Sequence, residues 1–156
     1  MKKAFLVVSG LICFLAGYSQ ISQGEDGLYY GKDHKLFSGD YREYWDNGQL
    51  KQQMLVTDGK MDGQVTLWYR TGTIREIRMF ENGLREGKWI SYNELGLKTG
   101  EAGYSVDLKE GLWRVWDEKG ILRYEMFYRK GQKAGLWIMY DENGNKVSEK
   151  RYSDEK

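Results

Sequence analysis

Glycine recurs along this chain with a fixed step of 24 residues. Gly39, Gly63, Gly87, Gly111 and Gly135 form one series and Gly48, Gly72, Gly96, Gly120 and Gly144 a second. A third runs Gly59, Gly83 and Gly131, with Asp107 in the missing place. A period of this length means one supersecondary unit stacked on copies of itself, which confines the chain to repeat architectures. Aromatic residues ride on the same lattice. Two positions after each first-series glycine stand Tyr41, Val65, Trp89, Trp113 and Trp137, and five after it Tyr44, Trp68, Tyr92, Trp116 and Tyr140. The units close on Val56, Phe80, Tyr104, Tyr128 and Tyr152, so five of them span Phe37 to Tyr152.

Within a unit the pattern is that of a β-hairpin. Gln64–Tyr69 and Ile121–Tyr128 are rich in β-branched and aromatic residues, while Asp46-Asn47-Gly48 and Glu142-Asn143-Gly144 are turn signals. A type I turn followed by a glycine bulge would pair Tyr44 with Leu50, Trp68 with Ile74 and Trp116 with Leu122 across the strands. Carried further, that register puts Trp89, Trp113 and Trp137 opposite Glu101, Glu125 and Glu149. A lone hairpin is marginal in water, so each unit must lean on its neighbours. The expected fold is therefore all-β: tandem 24-residue hairpins in an elongated antiparallel meander sheet. The absence of proline agrees, since proline would delete a ladder hydrogen bond from any interior strand.

The stretches 62–76, 86–98, 110–125 and 134–146, each built on G-x-W/V-x-x-W/Y followed by a turn glycine, resemble the MORN-repeat variant, in the form carried by bacterial toxin–antitoxin system YwqK-family antitoxins. The resemblance covers about three quarters of the chain and assigns five MORN-variant repeats to residues 37–156. It implies a hairpin-repeat sheet with a protein-interaction or scaffolding role, and its family label raises an antitoxin or immunity function. Residues 20–36, with Asp26-Gly27-Leu28-Tyr29-Tyr30, are similar to the family's lead-in, a first strand or capping half-repeat. Departures fall in the third unit, where Gly100 and Gly103 intrude and Asp107 replaces glycine, and at Ala134, where other units carry a polar residue. A kink or bulge is expected near residues 100–107.

Residues 1–19 read as an address. Met1-Lys2-Lys3 is a basic start, Ala4–Ala16 is an apolar run, and Gly17 and Ser19 favour cleavage after Ser19. The run is short for a membrane span, so a cleaved secretory signal is expected, with a retained anchor as the alternative. Cleavage would remove Lys2, Lys3 and Cys13 and leave a cysteine-free chain with one more acid than base. Such a chain suits an oxidising compartment, and the localisation expected is exported: periplasm, outer envelope or secreted.

Composition excludes several chemistries. With only His34 and Cys13 of their kinds, no His/Cys zinc site is expected, and a Cys–His catalytic pair would require those two to meet. The +1 net charge argues against electrostatic nucleic-acid binding. No phosphate loop, nucleophile elbow or catalytic constellation is found, so the chain reads as no enzyme, with no metal and no cofactor. Asp62, Glu86 and Glu110 recur at the repeat period, and a turn with a solvated rim accounts for them better than a cation ladder. Lys51, Arg75 and Arg123 read as a solvated strand face, and His34 as a loop residue. Trp89, Trp113 and Trp137 would align in a strip that either forms core or grips a peptide, a glycan, a partner sheet or a membrane surface. The function expected is an exported, non-enzymatic scaffold with a protein partner. An envelope polymer or membrane surface is the other class of ligand. An exposed C-terminal edge strand leaves pairing between copies open.

Overall fold

The β-branched and aromatic runs form strands throughout, and the glycine positions set where they turn. A computed structural model describes residues 21–153, and the segment read as a signal peptide lies outside them. Strands β3 (Gly39–Tyr44), β4 (Leu50–Thr57), β5 (Lys60–Trp68), β6 (Ile74–Glu81), β7 (Leu84–Tyr92), β8 (Lys98–Ser105), β9 (Leu108–Lys109), β10 (Gly111–Trp116), β11 (Leu122–Arg129), β12 (Gln132–Tyr140) and β13 (Lys146–Tyr152) make one 11-stranded sheet. Neighbours in sequence are neighbours in the sheet, all antiparallel, with β9 a short strand beside β8. This is the hairpin meander that the 24-residue step demands.

Two turn types alternate. Within a hairpin, Gly48 N donates to Trp45 O at 2.9 Å and Trp45 N to Gln49 O at 2.8 Å, a type I turn closed by a glycine bulge. Gly48 sits at φ 82°, in the left-handed region that residues with a Cβ rarely adopt, and its four equivalents lie between 79° and 86°. The register follows: Tyr44 faces Leu50, Trp68 faces Ile74 and Trp116 faces Leu122. Between hairpins, two-residue turns with both residues at positive φ connect the strands, at Asp58-Gly59, Asn82-Gly83, Val106-Asp107 and Lys130-Gly131.

One expectation about register is corrected. Trp89 faces Ala102, Trp113 faces Met126 and Trp137 faces Lys150, not the glutamates. Each hairpin turn is followed by one extra residue in the returning strand (Lys51, Arg75, Thr99, Arg123 or Val147), which advances the pairing by one beyond it. Because side chains alternate, that single step moves Glu101, Glu125 and Glu149 to the face away from the tryptophans.

Near residues 100–107 the departure is local. The strand that is continuous in β5, β7 and β12 is broken here at Glu110, between β9 and β10. A Cβ on Gly103 would lie 2.1 Å from Glu110 O, so glycine is what lets the two backbones approach. The lead-in forms β1 (Ser22–Gln23) and β2 (Tyr29–Tyr30), a separate two-stranded sheet. It is tied on by Tyr29 N to Gly59 O at 2.8 Å, Phe37 N to Tyr29 O at 2.9 Å and a bridge from Tyr30 to Leu36. The principal buried cluster, Met54, Val56, Val65, Leu67 and Phe80, lies in the first two hairpins, and Ile21 and Tyr29 of the lead-in pack on it together with Phe37 at the start of the first repeat.

Candidate functional site

The two faces of the sheet differ in chemistry. One carries a continuous run of rings, Phe80, Trp89, Tyr104, Trp113, Tyr128, Trp137 and Tyr152, with successive centroids 5.0 to 5.2 Å apart and tilted or edge-on planes. Each tryptophan thus stands between the unit-closing aromatic of its own hairpin and that of the one before. Aromatic pairs at these separations add about 0.5–1.5 kcal/mol each beyond simple burial.

The indole N–H groups are spent on the fold. Trp89 Nε1 donates to Met79 O at 3.0 Å, Trp113 Nε1 to Gly103 O at 3.0 Å and Trp137 Nε1 to Phe127 O at 2.9 Å. These carbonyls lie where the ladder between hairpins is irregular, as between Ile77 and Met79 and between Glu125 and Phe127. The three tryptophans are half-buried. In the first two units Val56 and Val65 hold the corresponding positions, and the lead-in covers them.

Cations lie along the rings. Arg85 stands over Tyr104 at 4.5 Å, Lys109 over Trp113 at 4.5 Å and Tyr128 at 4.7 Å, and Lys133 over Trp137 at 4.5 Å. Lys150 stands over Tyr152 at 4.9 Å. Arg85, Lys109 and Lys133 are themselves 24 residues apart, a period that sequence reasoning overlooked because it tracked glycine and aromatics only. Arg85 is ion-paired with Asp107 at 3.0 Å and Arg78 with Glu76. Lys109, Lys133 and Lys150 have no carboxylate partner among the described residues.

Beside the rings, Val115, Tyr124 and Met139 are cross-strand neighbours and stay exposed at 37%, 39% and 42%. Tyr124 and Met139, with Met126, Trp137 and Lys150, border a cavity of about 300 Å³ toward the C-terminal edge.

On the opposite face the central charges are paired locally. Arg114 pairs with Glu125 at 3.0 Å and approaches Glu101 at 3.9 Å, and Glu101 takes Lys98 at 2.9 Å and Lys88 at 3.5 Å. The Lys98 ammonium holds the Glu101 carboxyl below its ordinary range, against the opposing effect of burial. Glu125 is lowered first by the Tyr140 hydroxyl, which donates to it at 2.7 Å, and then by Arg114. The residues after the turn belong to the same pattern of local pairing. Lys51 bonds Glu43 at 2.6 Å, and Arg123 donates to Tyr140 O at 3.1 Å and lies near Asp117. Arg75 lies 4.0 Å from Glu76, while its buried Nε has no hydrogen-bond partner.

The periodic carboxylates have a structural task. Asp62 accepts from Asn82 N at 3.4 Å, Glu86 from Val106 N at 2.9 Å and Glu110 from Lys130 N at 2.8 Å, with Ser38 doing the same for Asp58 N at 2.8 Å. Each holds the turn that follows its own hairpin. Ala134, at the equivalent position of the last described hairpin, is buried and carries no polar group for this task. At the irregular third unit Asp107 bonds Arg85 N and Nε, and the Arg85 N–H lowers its carboxyl. No group of three or more potential metal ligands occurs among the described residues. His34 lies in the lead-in turn at φ 56°.

Residues 37–58, 109–130 and 133–154 match the MORN repeat variant, and these matches support a MORN-repeat protein. They coincide with hairpins β3–β4, β10–β11 and β12–β13. Comparison with curated proteins finds no match.

Proposed function

We propose that this protein, built of MORN-variant repeats, is an exported, non-enzymatic scaffold whose single-layer sheet binds another protein. MORN repeats are in general protein- or membrane-binding modules and not catalytic ones. The observation that carries the reading is the exposed apolar row Val115, Tyr124 and Met139 beside the ring ladder, on a sheet face that no second layer of the described chain covers in its C-terminal half. Contiguous apolar surface of this kind marks interaction sites. An immunity role would be one case of such binding, and it requires that the chain rescue cells from a specific toxin.

Photoreactive residues placed singly at Met139 on the ladder face and Leu112 on the other, in the native host, test the reading. Adducts to protein are expected, and adducts to lipid alone or none at all would refute it. Fractionation of the same cells with sequencing of the mature N-terminus tests export.

A further inference from the structure

The ladder face is chemically lopsided, and that lopsidedness selects a ligand. In its first half every cation is compensated or covered: Arg78 by Glu76, Arg85 by Asp107, and the aliphatic positions by the lead-in. In its second half Lys109, Lys133 and Lys150 lie against rings with no carboxylate partner among the described residues; Lys150 borders the cavity beside the exposed Tyr124–Met139 pair, and Lys133 lies over Trp137, which lines it. The opposite face shows the contrast, because Lys88, Lys98 and Arg114 there all have carboxylate partners. A second copy laid face to face would set lysine row against lysine row, so self-association through this face is opposed.

We infer that the C-terminal half of the ladder face is a docking site for an extended acidic segment of a partner protein, with apolar side chains in the Tyr124–Met139 cavity and carboxylates on Lys109 and Lys133. This site rests on the scaffold reading above. The spacing adds a specification. Lys109 and Lys133 are equivalent positions two strands apart, about 10 Å at the usual interstrand distance. A polyproline II segment advances about 3.1 Å per residue and returns to the same side every third residue, so acids at every third position repeat at nearly the same interval. Aromatic-lined grooves are the usual receptors for that conformation. A bilayer is the less suitable occupant. The ammonium groups are folded onto ring faces at 4.5 to 4.9 Å, and Met126 and Met139 line a side-chain-sized hollow that adaptable methionines suit well.

The test is titration of residues 20–156 with a twelve-residue peptide of repeating Glu-Pro-Leu, followed by tryptophan fluorescence and by amide shifts. A Lys-Pro-Leu peptide and phosphatidylglycerol vesicles run in parallel. Saturable binding of the acidic peptide is expected, with shifts confined to β10–β13. Lys109→Ala and Lys133→Ala should each weaken it by about threefold to fivefold, as for an exposed ion pair. Lys98→Ala on the other face should leave it unchanged, and Met139→Ser should weaken it with the fold intact by circular dichroism. Equal binding of the basic peptide, indifference to both lysines, or binding to vesicles but not to the peptide would overturn the site. Protein adducts from Leu112 alone, with no peptide binding, would remove this site while leaving the scaffold role standing.

Discussion

Replacing Trp113 by alanine removes the central ring of the ladder and leaves its neighbours without a contact on one side. Trp113 has Tyr104 and Tyr128 each at 5.2 Å, and its Nε1 bonds Gly103 O at 3.0 Å. Two ring contacts at about 1 kcal/mol each and one hydrogen bond at about 1 kcal/mol give a loss of about 3 kcal/mol. That is the lower end of the range for a Trp-to-Ala change in a core, as a half-buried ring should be. Trp113→Phe keeps most of the ring stacking and gives up the bond, so it should cost about 1 kcal/mol. Urea unfolding of both variants, compared at a common slope, measures the two numbers. A loss below about 1 kcal/mol for the alanine variant would refute the idea that the ladder stabilises the sheet. It would point instead to a ring held ready for a ligand, and the peptide titration would then show the larger effect.

Three further outcomes follow from the same geometry. Gly103→Ala should destabilise by about 3 kcal/mol, since its Cβ would meet Glu110 O at 2.1 Å, whereas Gly100→Ala, whose nearest neighbour is Ser91 Cβ at 3.6 Å, should be nearly silent; thermal melts separate them. Val106 is a β-branched residue at φ 47° and 62% exposed, so Val106→Asn should stabilise by about 1 kcal/mol, read from the urea midpoint. Glu101 is lowered by Lys98, so its contribution to stability is complete above the unfolded carboxylate value near ~4.3 and is lost as pH falls through the lower folded value. Urea midpoints between pH 6 and 3 should fall with acid in the parent and less steeply in Glu101→Gln.

The period of 24 and the pair Tyr44–Leu50 were legible because glycine and aromatic positions report the turn and the first rung beside it. The glutamate partners of the tryptophans were misplaced because a bulge residue such as Thr99 looks like any other strand residue, yet it shifts every pair beyond it. The alternation of Trp113 with Tyr104 and Tyr128 depends on how successive hairpins pair, since Tyr104 belongs to the hairpin before. The lysine row needed no structure: Arg85, Lys109 and Lys133 stand two places before successive first-series glycines. The turn-holding work of Glu86 and Glu110 could not be read from sequence, since each partner lies 20 residues away, in the turn that follows the same hairpin.

The placement of the buried cluster in β4, β5 and β6 has a consequence for how the molecule comes apart. Each hairpin is stabilised mainly by its neighbours, so opening a terminal one costs only that hairpin's own contacts and a single junction. The N-terminal end is anchored by Met54, Val56, Val65 and the lead-in, whereas β13 is exposed along nearly its whole length. Fraying should therefore begin at β13 and travel inward, with amide exchange slowest around β4–β6 and fastest at the far end. A ligand seated across β10–β13 would act on the most labile part of the molecule, and its arrival would be felt as a slowing of exchange there.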